Sequence, residues 1–390
     1  MTDHCLAYVA QGKLHWRGDG FSRELESLFA RDLRDRAAQI HNRHAWKMQG
    51  TGAQFMRGML WEGMERNAAE FRIAMTSVTR GRAPGEVLYS LETDEISGVF
   101  AVDASGAERR LFHTADFRIR HLAMHSDGSA LAASIAHSNL CSNLAVLNPD
   151  GSDLRDVTEG DSVDLAPRWV PSAERRLVFQ SAGVGRDAAG RLSGASPFSV
   201  QELDLDSGEI TCLAEDPEAD LLGPQKSADG ALYYIRRPRP MRRNALDPLA
   251  IVKDTVLFPF RLSFAVFQFF NLFSMRYTGR PLSTSRGAVQ RMPDLRRMMV
   301  WGNLIDVDQA ARENRGGDPD APALVPSTWH LVRQTSAGKQ VLAKGVLSYD
   351  FTRDGSILYS NGSSIHRLEP ATDRTERIFV GTMIEQIAAL

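Results

Sequence analysis

Four stretches of this chain repeat one design: an apolar strand, a tight turn and a second apolar strand. They run HLAMHSDGSALAAS (121–134), PRWVPSAERRLVFQS (167–181), GPQKSADGALYYIR (223–236) and LSYDFTRDGSILYS (347–360). Three of the turns hold Asp-Gly, at Asp127-Gly128, Asp229-Gly230 and Asp354-Gly355. Glycine there supplies the positive φ that a tight hairpin demands. A third strand and another turn follow each pair, in 144–158, 198–214, 328–344 and 364–379. A unit of four short strands cannot bury its own apolar faces. Units that recur along a chain must therefore stack on one another around a shared core.

The register sets the number of units. Asp127 to Ser172 is 45 positions, Ser172 to Asp229 is 57 and Asp229 to Asp354 is 125. Two units of about 45 residues leave an excess in the last gap, so one boundary and an insertion lie inside it. Near the start, VLYSLE (87–92), GVFAVDA (98–104) and RRLFHT (109–114) read as three strands lacking a first. The C-terminal TMIEQIAAL (382–390) reads as a strand lacking successors. Together they are expected to form one unit and close a ring without a free sheet edge. The fold class is thus all-β, a six-bladed β-propeller over residues 85–390, with five or seven blades left open.

The turns resemble the TolB-like, WD-type propeller repeat, whose pattern is roughly Pro-x-Trp-Ser-Pro-Asp-Gly. Pro167, Trp169 and Pro171 match it in one unit, and the three Asp-Gly pairs match in the others. The tryptophan position is Met124, Lys226 and Phe351 in those units. The resemblance implies architecture and says little of activity. TolB proteins are exported to the periplasm. The N-terminus here lacks a basic region followed by an apolar run, so a cytoplasmic location is expected instead. Three scattered cysteines, Cys5, Cys141 and Cys212, show no CxxC spacing and fit a reducing compartment.

Residues 1–84 read as a mixed, mainly helical N-terminal appendage. Cys5 to Trp16 suits a hairpin about Gly12. Phe21 to Met48 has helical spacing, with Asp32 and Arg36 placed to meet at i,i+4. A second amphipathic piece carries Phe55, Met59, Leu60 and Met64.

Residues 238–295 read as an inserted amphipathic helical segment. Its centre, Thr255–Met275, holds Phe258, Phe260, Phe264, Phe267, Phe269, Phe270 and Phe273 and one charge, Arg261. From Arg236 to Arg297 there are 13 Lys/Arg and 3 Asp, a local charge of +10 in a chain of net charge −2. An oily stretch in a positive field suits an anionic membrane surface, with Arg237, Arg242, Arg243, Arg276 and Arg280 meeting lipid phosphates. A single crossing would split the ring between the two sides of the bilayer, so only a surface-lying or re-entrant segment is compatible. Burial inside the protein, or under a protein partner or second copy, is the competing cover, because seven exposed phenylalanines exceed what a monomer shows. Nucleic acid is not expected as a partner: Tyr277 alone gives little aromatic interleaving and no binding motif is present.

Chemistry has one candidate constellation. His113, His121, His125 and His137 lie within 25 positions, and His121 and His125 would share one face of a strand. Imidazoles gathered at a propeller mouth could bind a transition metal, and His121 and His125 could then serve catalysis. Ordinary clustering among ten histidines is the plainer account. No GxSxG nucleophile elbow is present, and no cofactor is expected. The sequence therefore points to a non-enzymatic scaffold on the inner face of a membrane that recruits a protein partner. The alternatives are a propeller lyase or hydrolase using the histidines, and a soluble partner-binding subunit with its apolar segment covered by protein.

Overall fold

A computed structural model describes residues 5–18, 21–45, 73–137, 141–171, 175–187, 192–239, 297–300, 303–306, 310–312, 314, 318 and 320–390. The chain divides into two compact units. One comprises 1–28, 72–239 and 296–390, and the other 29–71 and 240–295.

In the larger unit, β1 (Leu6–Ala10), β2 (Lys13–Gly18) and β3 (Phe21–Leu25) form an antiparallel meander. Its first turn uses Gln11 and Gly12, both at positive φ (54° and 71°), as a tight hairpin requires. The helix α1 (Leu28–Ala45) follows and is the described part of the smaller unit; its Asp32 and Arg36 pair at 3.9 Å. Next come β4 (Ile73–Arg80), β5 (Val87–Thr93), β6 (Ser97–Val102) and β7 (Glu108–Thr114) in one four-stranded sheet.

A nine-stranded sheet holds two such groups. The first is β8 (Arg118–Met124), β9 (Leu131–Ala136), β10 (Ser142–Leu147) and β11 (Arg155–Asp156). The second is β12 (Ser162–Trp169), β13 (Arg176–Arg186), β15 (Ser199–Asp204) and β16 (Ile210–Ala214), with β14 (Leu192–Ala195) extending the end of β13. A single parallel bridge, Ser142 to Val163, joins the two groups.

A further sheet orders β17 (Ala219–Lys226), β18 (Leu232–Pro238), β21 (His330–Thr335) and β22 (Gly338–Lys344). Between β18 and β21 lies the insertion, and then the hairpin β19 (Arg297–Val300) and β20 (Asn303–Asp306). The last group is β23 (Ser348–Phe351), β24 (Ile357–Ser360), β25 (Ser364–Glu369) and β26 (Arg374–Val380). Finally β27 (Ile384–Ala389) pairs antiparallel with β1.

Three expectations change. The C-terminal strand completes the N-terminal meander, and the sheet of β5 to β7 has its own first strand in β4. Phe21–Leu25 is a strand, because Leu14–Leu25 and Trp16–Arg23 pairing with β2 outweighs its helical spacing. The strands of residues 6–25 therefore belong to the sheets of the larger unit, not to a separate appendage. The amphipathic piece at 55–64 and the core of the insertion, 240–296, lie outside the described residues.

Cross-strand stacks recur at matching places. Tyr8 stacks on His15 at 4.8 Å, Tyr89 on Phe100 at 5.5 Å and Tyr359 on His366 at 4.9 Å. Each is a registered pair between the first and second or second and third strands of its chain segment. Such pairs each stabilise a sheet by roughly 0.2–1 kcal/mol. Apolar layers fill the space between neighbouring sheets. Leu88, Val99, Ile119, Leu122 and Leu131 form one, and Ile235, Leu331, Tyr349 and Ile357 belong to another.

Several of the first strands are bulged. The registers of β8, β12 and β17 shift at His121, Ala166 and Gly223, which all take φ between 52° and 55°. Pro167 and Pro224 follow two of these positions, and proline fits where the ladder is already broken. Leu122 follows the third and keeps its N–H, which donates to Ser77 Oγ of β4 at 2.9 Å.

That bond is one of several between consecutive groups, and further ones link the other groups in turn. Trp169 Nε1 of β12 donates to the Ala123 carbonyl of β8 at 2.9 Å. Gly223 N of β17 donates to Gln180 Oε1 of β13 at 2.7 Å. Gln225 Nε2 donates to the Tyr349 carbonyl of β23 at 3.0 Å. Ala389 N of β27 donates to Asp350 Oδ2 of β23 at 2.9 Å. Val78 N of β4 donates to Gln386 Oε1 of β27 at 3.3 Å, which returns the series to its start.

Candidate functional site

Two of the strand–turn–strand hairpins carry their Asp-Gly turns, at Asp229 and Asp354, to a cavity of about 860 Å³. Its lining includes Met124 and Ser126, Trp169 and Pro171, Ala228 and Asp229, and Phe351 and Asp354. This volume falls in the range of ligand-binding clefts. A much smaller cavity, about 30 Å³, lies between the first strands and is lined by His121, Arg168, Gln225, Tyr349 and Gln386 among others.

The turns share one internal chemistry. The residue two before each turn aspartate bonds its carboxylate: Ser227 to Asp229, Thr352 to Asp354, and His125 Nδ1 to Asp127 Oδ1 at 2.5 Å. His125 therefore occupies the place that serine or threonine takes in the other units. These bonds hold the Asp229 and Asp354 carboxyls below the usual carboxylate range; Asp127 is held low by Ser129 first and His125 second. Arginines from third strands add to two of the turns. Arg333 reaches Asp229 at 3.0 Å, and Arg367 reaches Asp354 at 2.5 Å. Inside the cavity Arg168 faces Asp350 at 3.5 Å, with both side chains largely buried.

The histidines do not converge. His121 sits on the β8 bulge and faces the small cavity. Burial, then Arg120 and Arg168, push its imidazole down to about 3, so it stays neutral. His125 lies beyond the end of β8 at Met124, buried and edge-on to Trp169 at 4.8 Å. Bulge and strand end together break the alternation that would give the two residues a common face. His113 is exposed on β7, and His137 follows β9 at its far end. Among the described residues, no three His, Cys, Asp or Glu side chains gather as a metal site would require. The Arg168 guanidinium beside His121 would also repel a cation.

The basic window is partly neutralised. Arg237 is 8% exposed, forks onto Asp220 Oδ2 at 2.8 and 3.2 Å, and stacks over Trp329 at 5.4 Å. It holds β18 to β17 and is not a surface contact, which corrects its assignment to lipid. Arg236 pairs with Asp216 at 2.8 Å, and Arg239 approaches Asp220 at 3.8 Å. Phe258, Phe260, Phe264, Phe267, Phe269, Phe270, Phe273, Arg242, Arg243, Arg276 and Arg280 lie outside the described residues. No helix among the described residues is long and apolar enough to cross a membrane.

No family model matches the sequence, and no curated protein matches it. Solved structures do match in fold. TolB from Acinetobacter baumannii aligns over 99% of this chain and 66% of its own, at 10% identity and a TM-score of 0.51. A chain of a nidogen/laminin complex aligns over 99% and 98%, at 9% identity and a TM-score of 0.51. The chain thus spans just under two thirds of the length of that TolB. At these identities the likeness concerns the fold alone, and the fold is an all-β, TolB-like β-propeller.

Proposed function

We propose that this chain is a closed six-bladed propeller acting as a non-enzymatic scaffold on the inner face of a membrane. Six groups of strands, linked each to the next by hydrogen bonds in a series that returns from β27 to β4, support the ring and its blade number. The wide cavity at the Asp-Gly turns recruits a protein partner. The insertion at 238–295 anchors the scaffold peripherally through its phenylalanines and the flanking Arg242, Arg243, Arg276 and Arg280.

One observation carries the non-enzymatic reading. The three aspartates that line the cavity are each engaged by an arginine of the same lining, as Arg168–Asp350, Arg333–Asp229 and Arg367–Asp354. Groups locked in such pairs give a fixed recognition surface and leave no acid–base pair facing a substrate.

Flotation with anionic liposomes tests the anchor. The intact chain is expected to float at low salt and less so at high salt, because surface attraction is screened. Deleting Asp254–Met275 should abolish flotation and leave the melting transition in place. A chain that stays at the bottom with every lipid mixture sinks the membrane part. A deletion that unfolds the propeller shows that the segment is core.

A further inference from the structure

Pairing inside the wide cavity leaves an excess of positive charge. Arg80, Arg168, Lys226, Arg333, Arg353 and Arg367 line it, against Asp229, Asp350, Asp354 and Glu369. Three arginines are matched one to one by the aspartates, and Lys226 bonds Glu202, which is not part of the lining. Arg80, half-buried at the end of β4, and Arg353, exposed in the turn after β23, have no ion pair among the described residues. The Arg333 Nε–H is buried beside the cavity and has no acceptor among the described residues. Glu369 is already bonded by Thr372.

The same cavity has a fixed aromatic surface. Phe351 stands edge-on to Tyr233 at 5.0 Å and to Tyr349 at 6.2 Å. Trp169 is held by its indole bond to Ala123 and by His125. Both Phe351 and Trp169 remain half-buried, so part of each ring is open to a ligand.

We propose that this cavity binds an acidic segment of a protein chain, with carboxylates on Arg80 and Arg353 and an apolar side chain against Trp169 and Phe351. The proposal rests on the reading of the cavity as the recruiting face. A polyphosphate chain fits worse: the four carboxylates spaced among the arginines would repel a continuous line of negative charge. A single small anion would leave most of the volume and the aromatic rings unused. Separate carboxylates alternating with apolar groups match both features, and charge-assisted bonds to arginine are the stronger class.

Fluorescence anisotropy on the full chain tests this, using a labelled short peptide of alternating Glu and Leu. Gln-for-Glu and Lys-for-Glu versions serve as controls. The Glu peptide should bind about tenfold more tightly than the Gln version, the worth of one to two charged contacts. The double variant Arg80→Gln, Arg353→Gln should lose about that factor for the Glu peptide, leave the Gln peptide unchanged and melt as the parent does. Equal binding of all three peptides, or an unchanged affinity in the double variant, overturns the acidic class while leaving the cavity as a recruiting face. Binding of none overturns both.

Discussion

Glu385 offers a direct measure of how tightly the C-terminal strand is held. It is the extra residue of the β27 bulge, looped out between the Ile384–Ala10 and Gln386–Val9 pairs. No hydrogen bond or ion pair to its carboxyl exists among the described residues, and burial alone pushes it up from 4.5 to about 7. The unfolded chain ionises this group near pH 4.5, whereas the folded chain resists until about pH 7. Stability is therefore intact below pH 4.5 and falls as the pH rises toward 7. The full penalty above pH 7 is about 3 kcal/mol, at about 1.4 kcal/mol per pH unit. Glu385→Gln removes the charge and keeps the shape. It should raise Tm at pH 8 by roughly 3 °C for a chain of this length and leave it unchanged at pH 4.5. Thermal melts of both proteins across that range would show the gap opening between pH 4.5 and 7. Parallel curves, or a variant less stable at pH 8, would mean that the carboxylate is hydrated or paired and that β27 does not enclose it.

Two other substitutions separate structural roles from functional ones. Arg237→Ala should destabilise the fold by about 3–5 kcal/mol in chemical denaturation, because it strands the Asp220 carboxylate in a buried place. A variant with parental stability that only loses liposome binding would restore Arg237 to the surface. His125→Ser should cost about 1 kcal/mol, since serine can keep the bond to the turn aspartate and only the edge contact with Trp169 is lost. Loss of a stoichiometric transition metal in that variant, measured by elemental analysis of both proteins, would refute the assignment of His125 to the turn.

The repeating hairpins were legible because their signals are local. Asp127-Gly128, Asp229-Gly230 and Asp354-Gly355 announce turns, and glycine φ values of 72°, 82° and 82° meet the need that the sequence implied. The strand β4 was hidden by its own bulge. Ile73 and Met75 alternate, but the shift between Met75 and Ser77 moves the next core residue to Val78 and erases the period of two. With β4 concealed in this way, the C-terminal strand reads as the missing member of the sheet of β5 to β7. The short β3 failed for another reason: Phe21 and Leu25 are four apart, and five residues do not distinguish a helix face from a strand paired by tertiary contacts.

The cavity depends on partners that no local pattern reveals. Arg333 and Asp229 are 104 positions apart, and the pairing of β21 with β18 across the insertion brings them together. The same limit applies to the basic window. Counting its charges gave +10, yet Arg236, Arg237 and Arg239 are drawn to Asp216 and Asp220 on β17 or just before it. A paired guanidinium has little to offer a lipid phosphate, since leaving its carboxylate would cost what the lipid returns. On the membrane reading, attraction must therefore come from arginines farther into the insertion. At about 1 kcal/mol each before screening, Arg242, Arg243, Arg276 and Arg280 supply an attraction of about 4 kcal/mol. That is enough to guide the segment to an anionic surface but too weak to hold it there once salt is raised. Retention at high salt would have to come from the phenylalanines, at ~2 kcal/mol for each ring buried in lipid. The two contributions are separable: neutralising those four arginines should weaken flotation mainly at low salt, and replacing the phenylalanines should weaken it at every salt concentration.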